Sequence, residues 1–144
     1  MTELNTNNQN IVKEEQKDSL EGKKILWVED DKFLVSILTK KLESHRAILS
    51  QAKTFDEAFS ILDKDIPDLV ILDVMLQGLD GYDILQKMKM SDRTKNIPVM
   101  MLSNLGQTGD IEKAKMLGAD SYLVKASVTP EAIVKAIRSL LKLS

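Results

Sequence analysis

The sequence predicts an α/β protein in which five parallel strands alternate with five helices around one sheet. Continuous apolar runs of strand length, such as residues 25–28 and 69–72, are typical of strands that are buried on both faces. The segments between these runs place apolar residues at helical spacing. This alternation indicates βαβ units, and therefore a doubly wound parallel sheet with helices on both of its faces.

Composition narrows the class of protein. The chain has 144 residues and a net charge of −2, which suits one domain and gives no basic field for direct nucleic-acid binding. It has no cysteine and one histidine, His45, which excludes disulfides and metal sites built from thiolates or several imidazoles. No apolar run approaches the ~20 residues of a membrane span, and the N-terminus lacks a signal-peptide core. We therefore expect a cytoplasmic protein with no membrane partner.

The first 22 residues differ from the rest of the chain. They are rich in Asn, Gln, Glu and Lys, and their main apolar groups are Ile11, Val12 and Leu20. Such a segment buries too little surface to offset the entropy lost on ordering. We predict a flexible polar tail over 1–22 that folding does not need, followed by one domain over 23–144.

The order of elements follows from apolar patterns and helix-start signals. Strands are predicted at 24–28, 47–52, 69–72, 97–102 and 121–124. A helix follows each strand, and two helices have clear start signals, a Thr54-x-x-Glu57 capping box and the Thr129-Pro130 pair. Trp27 is predicted to lie in the core, and His45 on the surface at a helix end.

Four of the five predicted strands end in groups that can do chemistry. Residues 29–31 are Glu-Asp-Asp, and the later strands end at Asp73, Ser103 and Lys125. In a parallel sheet these ends share one edge, which is where open α/β sheets bind their ligands. Helix capping explains one acid of the triplet, but three adjacent acids repel one another unless a cation is near. The set suits Mg²⁺ beside a phosphoryl group, with Asp73 as a possible nucleophile.

Four spaced motifs then identify a family resemblance. They are Val-Glu-Asp-Asp at 28–31, Leu-Asp-Val-Met-Leu at 72–76, Met-Leu-Ser at 101–103 and Gly-Ala-Asp-Ser-Tyr-Leu-Val-Lys at 118–125. From about Lys23 to Leu143 the chain resembles a response-regulator receiver domain of the single-domain type used in two-component signalling. The resemblance implies a flavodoxin-like strand order of 2-1-3-4-5.

The resemblance also implies a phosphoacceptor and a metal site. Asp73 would take a phosphoryl group from a sensor histidine kinase or a histidine phosphotransfer protein. Asp30 and Asp73 would bind Mg²⁺ directly, Glu29 would bind it through water, and the backbone carbonyl of Met75 would complete the protein ligands.

Three further residues acquire roles from the resemblance. Ser103 would donate a hydrogen bond to the phosphoryl group, and Lys125 would pair with it. Tyr122 matches the aromatic switch that turns inward when the Ser moves. A half-buried aromatic residue on a strand, without a switching role, is the alternative for Tyr122.

The sequence departs from the family pattern at several positions. Gln77 and Ala126 replace prolines, Asn104 replaces a small residue, and Met75 offers no polar side chain to orient a hydrolytic water. None of these changes removes a chemical group from the site, so they bear on kinetics and switching. Without the proline, a cis bond would cost ~2.5–4 kcal/mol, so we predict a trans bond between Lys125 and Ala126.

The leading interpretation is a phosphorylatable switch that is not an enzyme beyond its own phosphorylation and dephosphorylation. Only Ser144 follows Leu143, so we expect output through a partner protein or a phosphorelay. We also expect a monomer or a weak phosphorylation-dependent dimer. A pseudo-receiver that only binds proteins is the alternative. An Asp-nucleophile phosphatase is disfavoured, since Met75 stands where such enzymes need a second acid.

Overall fold

A computed structural model describes residues 19–76 and 79–143 of the chain. Five strands form one parallel sheet with the order β2-β1-β3-β4-β5, which is the order that the family resemblance implied. The strand bounds are β1 Lys24–Val28, β2 Ile48–Ala52, β3 Leu69–Leu72, β4 Val99–Ser103 and β5 Ser121–Val124.

Five helices cover the two faces of this sheet. Their bounds are α1 Lys32–Ser44, α2 Phe55–Lys64, α3 Gly81–Met90, α4 Thr108–Met116 and α5 Pro130–Leu140. Buried residues of α1 and α5 pack in one core, and buried residues of α2, α3 and α4 pack in the other. The fold is therefore the predicted doubly wound α/β architecture. Among the described residues, no helix is both long and apolar enough to cross a membrane.

The sheet is buried on both faces because its strands alternate between the two cores. In β1, Ile25 and Trp27 face the core formed with α1 and α5, whereas Leu26 and Val28 face the core formed with the other helices. All four are at most 1% exposed. This is why the central strands appear in the sequence as continuous apolar runs instead of alternating ones. The prediction that Trp27 lies in the core is confirmed.

Side chains cap the helices at the predicted places. The Thr54 hydroxyl accepts a hydrogen bond from the Glu57 N–H, and Thr129 accepts one from the Ala132 N–H before α5. Asp31 accepts from two N–H groups in the first turn of α1. Each of these bonds satisfies donors that a helix start leaves without partners in the helix.

The folded domain begins earlier than predicted. Leu20 is fully buried, and its N–H donates to the carbonyl of His45. The Ser19 hydroxyl lies 2.7 Å from His45 Nδ1. His45 is consequently only 6% exposed, so the prediction of a surface histidine was wrong. Residues 19–22 pack on the domain, and the rest of the predicted tail lies outside the described residues.

Two short elements were not predicted. Met75–Leu76 and Leu79–Asp80 form a two-stranded antiparallel ladder directly after β3. A 3₁₀ turn, Lys125–Ser127, follows β5. No cis peptide bond occurs among the described residues, so the predicted trans bond between Lys125 and Ala126 is confirmed.

Candidate functional site

The carboxyl ends of β1 and β3 bring three acids together. These strands are neighbours, with Val28 opposite Leu72, so the residues that follow them share one edge of the sheet. One carboxylate oxygen from each of Glu29, Asp30 and Asp73 lies within 4.8 Å of the others. The sequence predicted this grouping.

The three adjacent acids at 29–31 have two different roles. Asp31 is the N-cap of α1, and its Oδ1 accepts from the N–H groups of Phe33 and Leu34. Glu29 turns back into the protein and is fully buried, where its Oε2 accepts from the N–H of Asp30. Capping therefore accounts for Asp31, whereas Glu29 and Asp30 belong to the cluster with Asp73.

Lys125 links two of the acids. Its Nζ lies 2.6 Å from Asp73 Oδ2 and also forms an ion pair with Glu29. The Lys125 side chain is only 10% exposed. Lys125 starts at the end of β5, two strands away from β3, and its long stem spans that distance. An ammonium at this place offsets the repulsion between two buried carboxylates.

The charges and burial of the cluster shift the pKa of Glu29 and the pKa of Lys125. Burial raises the pKa of Glu29 to about 7, and the nearby Asp73 charge adds to that effect while Lys125 opposes it. Burial alone would lower the pKa of Lys125, but its hydrogen bonds and charge contacts with Asp73 and Glu29 outweigh burial and raise it. Lys125 therefore stays protonated, and Glu29 can change charge near neutral pH.

The loop that carries Asp73 depends on a close backbone contact. Asp73 Oδ1 accepts from the Met75 N–H at 3.1 Å, and the Gly81 N–H donates to the Val74 carbonyl at 2.7 Å. A Cβ placed on Gly81 would lie 1.9 Å from the carbonyl oxygen of Asp73. Glycine is therefore required for the loop to pack against the start of α3. Nothing in the sequence around Gly81 indicates this close approach, so sequence analysis missed its positioning role.

Ser103 and Tyr122 lie on neighbouring strands at the same edge of the sheet. Ser103, the last residue of β4, is 1% exposed, and its Oγ accepts from the Leu105 N–H at 3.3 Å. The Tyr122 hydroxyl donates to the Leu105 carbonyl at 2.5 Å. Burial raises the pKa of Tyr122, so the phenol stays a donor at neutral pH. Both side chains thus hold the loop after β4.

The donor set fits a hard divalent cation. Of the described residues, the cluster offers carboxylate oxygens from Glu29, Asp30 and Asp73, and oxygen is the ligand that Mg²⁺ prefers. Lys125 already supplies one positive charge there, and it pairs with Glu29 and Asp73. A divalent cation bound at this edge would add positive charge to a cluster in which, among the described residues, three carboxylates face one ammonium group, and would reduce the repulsion between the carboxylates.

Comparisons with known proteins identify the family. Residues 25–138 match the family model for the response regulator receiver domain. The chain is also 38% identical over 120 residues to a probable transcriptional regulator, ycf27, of Cyanophora paradoxa. That match covers 83% of this chain and 48% of the relative. The chain belongs to the response regulator receiver domain family, and it spans about half the length of the curated relatives it matches.

Solved structures agree with this assignment. A putative response regulator from Chloroflexus aurantiacus superimposes with a TM-score of 0.78 at 28% identity, covering 83% of this chain and 98% of that one. The BeF3-activated N-terminal receiver domain of Klebsiella pneumoniae RstA gives a TM-score of 0.76 at 26% identity, with the same coverage of both chains. The flavodoxin-like fold of chemotaxis-type receivers is therefore shown for this chain.

Proposed function

We propose that this protein is a phosphorylatable switch in which Asp73 accepts a phosphoryl group from the phosphohistidine of a sensor histidine kinase or a histidine phosphotransfer protein. The observation that carries the proposal is the cluster at one edge of the sheet: three carboxylates with oxygens within 4.8 Å, and Lys125 paired with Asp73. A pseudo-receiver would not need the complete set of charged groups.

The proposed reaction uses groups that the fold has already placed. An Asp73 carboxylate oxygen attacks phosphorus, an O–P bond forms, and the N–P bond of the donor breaks with the electron pair returning to the imidazole. Lys125 neutralises charge on the phosphoryl oxygens. The Ser103 hydroxyl donates to one of them once it is released from the loop, where it now accepts from Leu105.

Mg²⁺ is proposed as the cofactor. Asp30 and Asp73 would bind it directly, Glu29 through water, and the Met75 carbonyl would complete the protein ligands. When bound, the ion neutralises phosphoryl charge. Glu29 is proposed to change its protonation state with Mg²⁺ binding, because its raised pKa lets it carry a proton when no cation is near.

Tyr122 is proposed to act together with Ser103 as the switch that responds to phosphorylation. In the described structure its hydroxyl holds the Leu105 carbonyl, which lies in the same loop that Ser103 contacts. Movement of Ser103 toward a phosphoryl group would strain both bonds and reposition this loop. A partner that recognises the face formed by α4, β5 and α5 would then sense the change. We propose a monomer or a weak phosphorylation-dependent dimer, with output through another protein.

Phosphorylation by a small donor tests the proposal. Acetyl phosphate with Mg²⁺ is expected to add one phosphoryl group to the wild-type protein, detected as a mass increase that is lost in strong acid and in base. Asp73→Asn should abolish the increase, whereas the matched variant Asp63→Asn, at an exposed position of α2, should keep it. Equal phosphorylation of the Asp73→Asn variant would refute the assignment.

A further inference from the structure

A glutamine on the edge strand β2 lies beside the proposed metal site. The side-chain amide of Gln51 donates from Nε2 to the backbone carbonyl of Glu29 at 3.2 Å. A carbonyl oxygen only accepts hydrogen bonds, so this contact uses the NH₂ group of the amide. Gln51 itself is exposed. The carbonyl that it binds belongs to the peptide between Glu29 and Asp30, which are two of the acids proposed to hold Mg²⁺.

Gln51 supplies this donor at the point where the chain turns away from β1. Val28 lies opposite Ala52 in the parallel pair, and the Glu29 N–H donates to the Ala52 carbonyl at 2.9 Å. β2 ends at Ala52, and Thr54 is already the N-cap of α2. The Gln51 side chain therefore binds the Glu29 carbonyl just beyond the last paired residues. Both backbone groups of Glu29 are thus bound by residues of β2.

The other end of the same peptide is bound by the Glu29 carboxylate. The Asp30 N–H donates to Glu29 Oε2 at 3.1 Å, and the Asp31 N–H donates to the same oxygen at 3.4 Å. A peptide unit is planar and trans, so its C=O and N–H groups point in opposite directions. Because β1 lies between β2 and β3, a carbonyl held toward β2 directs the Asp30 N–H toward the side of β3, which carries Asp73.

We propose that Gln51 is a positioning residue for the Mg²⁺ site, a role that rests on the proposed function of that site. The Gln51 amide fixes the plane of the peptide between Glu29 and Asp30. This plane sets the direction of the Asp30 backbone and the place of Glu29 Oε2. Gln51 acts through these two residues and does not itself bind the ion. The peptide is thereby oriented before the cation binds, so that binding loses less free energy to reorganisation.

The role of Gln51 concerns metal affinity more than stability of the fold. Water can satisfy the Glu29 carbonyl in place of the amide, but water does not hold the peptide in one orientation. A hydrogen bond from an exposed side chain contributes little net stability, because the unfolded chain makes equivalent bonds to water. Loss of the amide should therefore weaken Mg²⁺ binding while the free energy of unfolding hardly changes.

A Mg²⁺ titration of the full-length chain tests the proposal. Gln51→Met keeps the length of the side chain and removes the donor. We expect its Mg²⁺ dissociation constant, measured from amide chemical shifts, to rise roughly two- to tenfold, which corresponds to the loss of one net hydrogen bond. Gln86→Met, at an exposed position of α3, is the matched control and should keep the wild-type constant. Equal constants for the two variants would overturn the proposal.

Phosphorylation kinetics separate positioning of the metal site from a general structural effect. With acetyl phosphate, the Mg²⁺ concentration for half-maximal phosphorylation of Asp73 should rise in Gln51→Met by the same factor as the dissociation constant. The rate at saturating Mg²⁺ should stay close to that of the wild-type protein, because the nucleophile is unchanged. The urea midpoint should match that of Gln86→Met. A lower saturated rate with an unchanged half-maximal concentration, or a clearly lower urea midpoint, would contradict the positioning role.

A second variant distinguishes the hydrogen bond from nearby charge. Gln51→Glu replaces the donor by an acceptor and adds a negative charge, which by itself would tighten the binding of a cation. We expect weaker Mg²⁺ binding than in the wild-type protein, and binding that is equally tight or tighter would refute the role of the donor.

Failure of the proposed function would look different from failure of this inference. In that case the wild-type protein would neither bind Mg²⁺ nor be phosphorylated at Asp73, and the role of Gln51 would be rejected with the site. A wild-type protein that does both, with Gln51 variants that bind Mg²⁺ as tightly as it does, would reject the role of Gln51 alone.

Discussion

Replacing Gly81 by alanine should distort the loop that presents the phosphoacceptor. The new Cβ would lie 1.9 Å from the Asp73 carbonyl oxygen, 2.8 Å from its carbonyl carbon and 3.0 Å from the Val74 Cα. Ordinary contacts of a Cβ begin near 3.4 Å, so the loop or the start of α3 has to move by about 1.5 Å. The obstructing atoms belong to the backbone, which cannot turn to another rotamer.

The expected cost follows from this geometry. Overpacking of a buried site typically costs 1–3 kcal/mol, and a backbone obstruction places Gly81→Ala at the upper end, about 3 kcal/mol. Alanine in a helix regains up to about 1 kcal/mol over glycine, which lowers the net loss in unfolding free energy to about 2 kcal/mol. For a domain of this size that corresponds to a fall of roughly 6–12 °C in melting temperature.

Gly109 provides a matched control. It lies in the first turn of α4, and a Cβ there would meet nothing within 4 Å. Gly109→Ala should therefore leave stability unchanged or raise it by up to about 1 kcal/mol. Urea unfolding followed by the fluorescence of Trp27, the only tryptophan and fully buried, measures both variants. Equal stabilities of the two variants would refute the close contact. If the Gly81→Ala protein folds, it should be phosphorylated at Asp73 more slowly than the wild-type protein.

Three further predictions concern the boundary and the site. Leu20→Ala should lower the free energy of unfolding by about 2–5 kcal/mol, since Leu20 is fully buried, and an unchanged urea midpoint would place it outside the core. Without metal, the folded-state pKa of Glu29, about 7, lies above the ordinary 4.5, so stability present below pH 4.5 is lost as the pH rises to about 7. Glu29→Gln should remove that part of the loss, of the order of 1–3 kcal/mol, and identical pH profiles of the two proteins would contradict the assignment. Asp30→Ala should abolish the saturable response to Mg²⁺ in a fluorescence titration, and retention of the wild-type curve would show that the metal site is elsewhere.

The residues at the strand ends could be predicted to share one edge of the sheet, because the apolar pattern of the sequence and the parallel topology together determine where the strands end. Apolar runs locate the strands, alternation with helices makes them parallel, and parallel strands end at one edge. Glu29, Asp73 and Lys125 could therefore be assigned to a common site without coordinates. Their pairing could not, because it depends on which way each side chain turns and on how deeply Glu29 is buried.

Other features depend on contacts between segments that are distant in the sequence. The requirement for Gly81 arises from the approach of one loop to the start of a helix, and a glycine in a loop does not reveal such an approach. The burial of His45 depends on Ser19 and Leu20, which composition placed in a polar tail. A single leucine among polar residues has no periodicity from which its burial could be predicted.

The most direct test of the central claim is to locate the phosphoryl group chemically. Phosphorylated protein is treated with borohydride, which reduces an aspartyl phosphate to homoserine, and the digested peptides are sequenced by mass spectrometry. Homoserine is expected at position 73 alone, formed only when a phosphodonor and Mg²⁺ were both present. Homoserine at Asp30, or an unmodified Asp73 in protein that carries phosphate, would contradict it.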